Sequence, residues 1–188
     1  MTPSPSTSPG PSPLVRPGAL GGYGPLPSPA GHTEAELAAL LGLLSAARPR
    51  VHTVAVGHSR DDASRASAQA FADAWRARGG SVLAVTDWPE QAASWLRPAQ
   101  RFTAQAPDAW VVAAAPPGWV QMARRLRHST TWAPERTFGF ASLAEPRVIA
   151  LAGPDTLHGL RGATADGRTW EVRHDWLTSR SPETRSAR

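Results

Sequence analysis

The stretch that most constrains this chain is a run of small and apolar residues, Asp108-Ala-Trp-Val-Val-Ala-Ala-Ala-Pro-Pro-Gly-Trp119. Pro107 precedes the run and Pro116-Pro117-Gly118 interrupts it, so its apolar core is short and suits a strand. A strand without polar alternation is typical of a parallel sheet that is covered on both faces. The stretch therefore predicts the middle strand of such a sheet, with other elements on either side.

Helical and strand-like segments alternate along the rest of the chain. Thr33 and Glu36 form a capping box before a leucine-rich helix, and the apolar run 51–56 predicts the first strand. Ser59 and Asp62 are interpreted as the capping pair of the next helix. The other predicted strands are 81–86, 137–141 and 159–164, and a turn at 165–168 leads from the last of these into a hairpin. This alternation predicts a three-layer, doubly wound α/β fold with about five parallel strands in the order 2-1-3-4-5.

Composition divides the chain into three parts. Residues 1–31 hold nine prolines, six glycines and five serines. Such a segment cannot bury enough apolar surface to order itself, so we expect a disordered tether. Residues 32–180 are expected to form a single α/β domain, and residues 181–188 a polar tail.

Charge and cysteine usage restrict location and partners. The chain has no cysteine, which excludes disulfides, thiolate metal sites and a lipid-modified cysteine. The start of the sequence lacks the basic and apolar pattern of a secretory signal, and no run approaches the ~20 apolar residues of a membrane helix. A soluble cytoplasmic protein is therefore expected.

All 20 positive charges are arginines and the net charge is +5. Because the arginines are scattered, we expect a solvated surface and no nucleic-acid binding.

Several motifs occur together in a recognisable order. They are Val54-Ala-Val56, Phe71-x3-Trp75-x3-Gly79-Gly80, Ala106-Pro-Asp-Ala-Trp-Val-Val112, and Ala144-x-Pro146 followed by Leu151-Ala-Gly153 and Gly159. With them, the chain from about residue 51 to 164 resembles the second lobe of type 1 periplasmic binding proteins, the leucine/isoleucine/valine-receptor-like group of transporter substrate-binding proteins. The resemblance implies one of two lobes that close over an amino-acid-like ligand. This sequence shows no counterpart of the first lobe, and Ala63-Ser-Arg-Ala66 stands where the family often has an aromatic-glycine pair.

The position of a ligand site follows from the expected strand order. In a doubly wound sheet the crevice lies beyond the carboxyl ends of strands one and three. A tryptophan face, a hydroxyl and free helix amides there suit a small anionic or amphipathic ligand. The loops at that edge carry six candidate ligand-binding residues, namely His58, Ser59, Trp88, Gly118, Trp119 and Ser142.

No residue cluster in the sequence specifies a reaction. The G-x-S-x-G, G-x-G-x-x-G and Walker motifs are absent, and no two histidines have the i, i+4 spacing that favours a shared metal ion. We therefore expect no catalysis, no metal and no cofactor.

Two hypotheses for the function stay open. One is a small-molecule-binding lobe that needs a partner lobe, supplied by another protein or by a second copy in a homodimer. The other is a protein-interaction or structural module that has kept the fold but lost ligand binding.

Overall fold

The computed structural model describes Val15, Gly22 and residues 24–180. Most of the predicted tether over 1–31 and all of the predicted tail over 181–188 fall outside these residues, so both stay predictions. Residues 24–31 form neither helix nor strand. They nevertheless lie against the domain, where their contacts bear on the candidate site.

Helices and strands alternate along the described domain. The helices are α1 (Glu34–Ala46), α2 (Asp62–Ala77), α3 (Leu96–Thr103), α4 (Pro116–Ser129) and α5 (Pro146–Ala152). The strands are β1 (Thr53–Ser59), β2 (Ser81–Trp88), β3 (Ala109–Ala113), β4 (Thr137–Gly139), β5 (Arg161–Ala163), β6 (Thr169–Arg173) and β7 (Trp176–Arg180).

The strands form one sheet in the order β2-β1-β3-β4-β5-β6-β7. Strands β1 to β5 run parallel, whereas β6 and β7 are antiparallel additions at one edge. The predicted α/β fold is confirmed, and every residue of β3 is buried. The strand count is higher than the predicted five because the C-terminal hairpin joins the same sheet. Strand β7 was missed because its largely exposed residues show no apolar pattern.

Helices cover both faces of the sheet, as the uninterrupted apolar sequence of β3 predicts. Alternate strand residues point to opposite faces, so both sets must be apolar when both faces are covered. Helices α1 and α2 cover one face, where Leu40, Leu44 and Phe71 share a core with Val54, Val56 and Val111. Helices α3, α4 and α5 cover the other, where Phe102, Trp119 and Ile149 share a core with Ala55, Trp110 and Val112.

The two predicted helix caps have different outcomes. At α1 the capping box is present: the Thr33 hydroxyl accepts from the Glu36 amide at 3.1 Å, and Glu36 accepts from the Thr33 amide at 3.4 Å. At α2 the prediction was wrong, since Asp61 caps the helix by accepting from the Ser64 amide at 2.8 Å. The reason is that β1 continues through Ser59, which therefore belongs to the strand.

Tryptophan packing accounts for much of the core. Seven of the eight tryptophans are at most 5% exposed, as expected for large apolar rings. Trp176 on β7 is 76% exposed. Within the described chain, a tryptophan-rich exposed face is therefore not present.

Strands β4 and β5 approach closely at Gly162, and a substitution there tests this packing. A Cβ atom there would lie 2.0 Å from the Gly139 carbonyl oxygen and 2.3 Å from the Trp170 ring. We expect Gly162→Ala to lower the free energy of unfolding by about 1–3 kcal/mol or more, because sheet backbone cannot move aside cheaply. Urea unfolding measures the change.

Gly42 supplies the matched control, since a Cβ atom at this α1 position meets nothing within 4 Å. Gly42→Ala should raise the free energy of unfolding by about 0.5–1 kcal/mol through helix propensity. Equal stability of Gly162→Ala and the wild type would contradict the described packing.

Candidate functional site

The carboxyl edge of the sheet has the geometry that the strand order predicts. Strand β1 leads into α2 on one face, whereas its neighbour β3 leads into α4 on the other. The two connections therefore leave in opposite directions and open a crevice between them. All six predicted site residues lie at or near this edge of the sheet, in very different environments.

Ser59 and His58 hold the edge together. The Ser59 side chain is fully buried, and its hydroxyl accepts from the Ala115 amide at 2.9 Å, which ties the loop after β3 to the end of β1. His58 is 9% exposed, and its Nδ1 lies 2.7 Å from the Ser59 carbonyl oxygen. Because a carbonyl only accepts, this nitrogen carries the proton. Ser59 thus has a structural contact that the sequence did not reveal.

Trp88 and Trp119 lie in the core and not on an open crevice, which corrects their predicted position. Neither indole has exposed surface. Their ring centroids lie 6.2 Å apart, and Trp119 also packs edge-on against Trp132 at 6.0 Å. Strand β2 continues through Trp88, and Trp119 lies within the first turn of α4, facing the sheet. A ligand in the crevice does not reach either ring in this conformation.

Gly118 leads to Glu90, a site residue that sequence reasoning missed. The Gly118 amide donates to Glu90 Oε2 at 2.7 Å, and a Cβ atom on Gly118 would lie 2.7 Å from the other oxygen of that carboxylate. Helix α4 begins with Pro116 and Pro117, which have no amide hydrogen, and has no side-chain cap of its own. Glu90 therefore serves the helix N-terminus from outside, which a negative charge favours.

The polar groups around Glu90 are incompletely satisfied. Burial raises the pKa of Glu90, hydrogen bonds with Ser59 and Gly118 oppose that shift, and the negative charge of Asp61 adds to it. Glu90 Oε1, Asp61 Oδ2 and the Ser64 hydroxyl are buried without a hydrogen-bond partner. Buried polar atoms are normally paired, so each of these atoms is a point where a hydrogen-bond partner would be stabilising. Glu90 lines the space bounded by residues 24–29, whereas Ser64 lines the adjoining 230 Å³ cavity.

Ser142 lines an adjoining cavity of about 230 Å³ at the ends of β3 and β4. Its hydroxyl donates to the Ala114 carbonyl at 2.8 Å. The cavity also contains the Ser64 side chain and the carboxylate of Glu36, which accepts from the Ala141 amide at 2.5 Å. Burial raises the pKa of Glu36 despite backbone hydrogen bonds from Ala141 and Thr33.

Residues 24–31 lie across this edge and cover the crevice. Residues 27–31 form one wall of the 230 Å³ cavity, and residues 24–29 bound a second space of about 650 Å³ together with Glu90 and Pro117. Arg147 Nη1 donates to the Pro25 carbonyl at 3.0 Å, and Leu26 packs against the α3–α5 core. The described end of the proline-rich segment is therefore in contact with the candidate site.

The described residues contain neither a metal site nor a membrane-spanning helix. No group of three or more histidine, aspartate or glutamate side chains there is placed to hold a metal ion. No helix in the same part of the chain is long and apolar enough to cross a membrane.

Solved structures share this fold. A proposed branched-chain amino acid ABC transporter from Rhodospirillum rubrum is 25% identical, with a TM-score of 0.57, and the match covers 69% of this chain and 36% of that one. A substrate-binding periplasmic protein from Ralstonia solanacearum is 17% identical, with a TM-score of 0.60, covering 73% and 38%. A leucine-binding protein from Thermotoga maritima is 17% identical, with a TM-score of 0.56, covering 65% and 34%.

These likenesses confirm the predicted resemblance at the level of the fold. The chain has the fold of part of a type 1 periplasmic binding protein, and it spans roughly a third of the length of the solved structures it matches. No protein-family model and no curated protein matches the sequence. The roles of the six predicted residues in ligand binding stay predictions.

Glu90 gives a pH test of the site. Its folded-state pKa is raised above the ordinary 4.5, so the folded protein is favoured when this group is protonated and loses that stability as pH rises through the raised pKa. Glu90→Gln keeps an acceptor for Gly118 but has no proton to lose. We therefore expect its stability relative to the wild type to increase as pH rises from about 4.5 towards neutrality. Urea unfolding at a series of pH values measures this.

Glu34→Gln is the control, since Glu34 is an exposed carboxylate in the first turn of α1. It should show no such gain. A Glu90→Gln difference that stays constant with pH would mean that the carboxylate is not destabilised by its surroundings.

Proposed function

We propose that this chain is a non-catalytic binding lobe that takes a small amino-acid-like molecule at the carboxyl edge of its sheet. The observation that carries the proposal is that Glu90 and Asp61, whose charges interact, each have a buried carboxylate oxygen without a hydrogen-bond partner, in a fold shared with substrate-binding proteins. Fold alone does not define a function, so the polar groups of the site must supply the argument.

The chemistry of the crevice suits a primary ammonium group. An ammonium group donates three hydrogen bonds. It would donate to Glu90 Oε1 and Asp61 Oδ2, which are buried and have no hydrogen-bond donor of their own. A hydrogen bond to a charged group contributes about 1.5–3 kcal/mol. The unpartnered Ser64 hydroxyl, in the same turn as Asp61, can donate to the carboxylate of the ligand. Apolar walls at Ala113 and Phe140 suit a small aliphatic side chain.

A partner lobe is part of the proposal. The solved proteins that share this fold are about twice as long as this chain, and the match covers little more than a third of each. A cleft formed by one lobe leaves a bound ligand exposed on its other side, whereas small-molecule sites normally bury most of the ligand. Another protein, or a second copy of this chain, would supply that cover.

Ligand-dependent melting tests the proposal directly. Leucine, isoleucine and valine should raise the melting temperature progressively, since a ligand that binds the folded state stabilises it by RT ln(1 + [L]/Kd). N-acetyl-leucine, which has no ammonium group, should produce no shift. Glu90→Gln should weaken leucine binding at least tenfold, or about 1.4 kcal/mol, because one carboxylate partner is lost. Absence of any shift at millimolar amino acid would count against a stand-alone receptor.

Residues 24–31 must move for a ligand to enter the crevice. Leu26→Ser removes the apolar contact that holds this segment on the α3–α5 core. We expect the variant to bind leucine severalfold more tightly than the wild type, because the cost of displacing the segment falls. Calorimetric titration measures the affinity.

Leu37→Ser makes the same chemical change at another partly buried leucine, on α1, which packs against the opposite core. It should leave leucine affinity unchanged. If Leu26→Ser has the same leucine affinity as the wild type, the segment does not compete with the ligand.

A protein-interaction module is the second candidate function. The covered crevice and the buried rings of Trp88 and Trp119 favour it, since both reduce the surface open to a small molecule. Failure of every amino acid to shift melting in both the wild type and Leu26→Ser would favour this candidate. Light scattering of the full chain then distinguishes a homodimer from a monomer that awaits another protein.

A further inference from the structure

Four arginines that are scattered in the sequence meet at the amino edge of the sheet, opposite the candidate site. Arg48 and Arg50 precede β1, Arg136 precedes β4, and Arg161 begins β5. Parallel strands start at the same edge, so the fold brings these positions together. They line a cavity of about 650 Å³.

Neutral groups hold three of these guanidinium ions in place. Arg48 donates to the Ala46 and Ala47 carbonyls at 3.2 and 2.8 Å. Arg136 donates to the carbonyls of Asp108, at 2.7 Å, and Pro107, and Arg161 donates to that of Glu135 at 3.2 Å. A carbonyl oxygen orients a guanidinium but does not neutralise it. Among the described residues, none of the four arginines forms a salt bridge.

Two of the arginine side chains also pack against aromatic rings. The Arg136 guanidinium lies 5.1 Å from the centre of the Trp110 ring, and that of Arg161 lies 5.0 Å from the centre of the Phe138 ring. Cation–π contacts stabilise a positive charge without adding a negative one. Both guanidinium planes are therefore positioned before any ligand arrives.

The charge balance of the cavity favours anions. Asp108 and Glu135 are its two acidic residues, so the four arginines leave two positive charges in excess. One oxygen of Asp108 already accepts from the His52 and Thr53 amides and the Thr53 hydroxyl. That carboxylate is committed to joining β1 and β3.

Adjoining cavities extend the positive surface. Arg161 also lines a cavity of about 320 Å³ with Arg180 and with Arg173, which forms a salt bridge with Glu171 of the same cavity, and Arg50 lines one of about 140 Å³ with Arg78. A concentration of one sign of charge raises the local concentration of oppositely charged ligands. The amino edge is therefore a place where anions would accumulate.

We infer that the cavity lined by Arg48, Arg50, Arg136 and Arg161 binds a small soluble polyanion that carries two or more phosphate groups. Guanidinium groups match phosphate oxygens with paired hydrogen bonds, which an ammonium cannot do. The cavity volume lies within the usual range of about 300–1,000 Å³ for small-molecule sites. This site is separate from the proposed amino-acid site and does not depend on it.

Calorimetric titration of the full chain with tripolyphosphate, at fixed ionic strength, tests the inference. Arg48→Gln/Arg161→Gln should weaken tripolyphosphate binding at least tenfold. Orthophosphate, with one phosphate group, should bind the wild type more weakly than tripolyphosphate. Arg97→Gln/Arg101→Gln is the matched control: it removes the same charge from exposed positions on α3 and should change the affinity less than twofold.

Three results would overturn the inference. They are no tripolyphosphate binding at millimolar concentration, equal weakening in both double variants, and binding to anionic lipid vesicles without binding to tripolyphosphate. Circular dichroism checks that each variant is folded. Arg48 contacts the end of α1, so Arg50→Gln, at an exposed position, serves as a second variant if the double variant does not fold. It should weaken tripolyphosphate binding severalfold, and an unchanged affinity would also contradict the site.

Discussion

The register between β1 and β3 is the constraint on which both edges of this sheet depend. At one end, Asp108 accepts from the Thr53 amide at 2.8 Å and from its hydroxyl at 2.9 Å. At the other, the Ser59 hydroxyl accepts from the Ala115 amide at 2.9 Å. The strands between are apolar on both faces, so a slip by one residue would exchange the two cores. Two polar contacts therefore fix a register that the apolar residues alone specify less strictly.

The two edges of the sheet that this register aligns differ in their charged groups. The carboxyl edge gathers Glu36, Asp61 and Glu90, and burial raises the pKa of both glutamates. The amino edge gathers arginines whose partners are carbonyl oxygens. Each edge also carries the opposite sign, since Arg147 lies at the carboxyl edge and Asp108 at the amino edge, so the net charge of +5 describes neither edge. The ligand groups proposed for these two edges, an ammonium and a phosphate, carry opposite charges.

The sequence predicted the fold better than the site. Hydrophobic periodicity can be recognised within a short segment, whereas a crevice is formed by residues that are far apart in the sequence. The capping box at Thr33 and the apolar run of β3 are readable within a few residues, and both were confirmed. The environments of Trp88 and Trp119 depend on where β2 ends and how α4 rotates against the sheet, which local pattern does not set. Glu90 was missed for the same reason, since it meets Gly118 from 28 residues away.

The arginines show how the fold gathers residues that are far apart in sequence. Arg48 and Arg161 are scattered in the sequence and were expected on a solvated surface, and parallel strands bring them to one edge of the sheet. A basic site in a doubly wound fold therefore has no run of basic residues. Its sequence signal is an arginine shortly before several different strands, which becomes visible only when the strand boundaries are known.

The composition of residues 24–31 also has a physical consequence at the crevice. Pro25, Pro27 and Pro29 have no amide hydrogen, so this segment cannot pair with the sheet as a strand would. Its contacts are of a weaker kind, such as the packing of Leu26 and the hydrogen bond from Arg147 to the Pro25 carbonyl. Proline also limits the conformational freedom that the segment gains on release. A cover held by so few contacts would be displaceable by a ligand or a partner lobe that makes stronger contacts there.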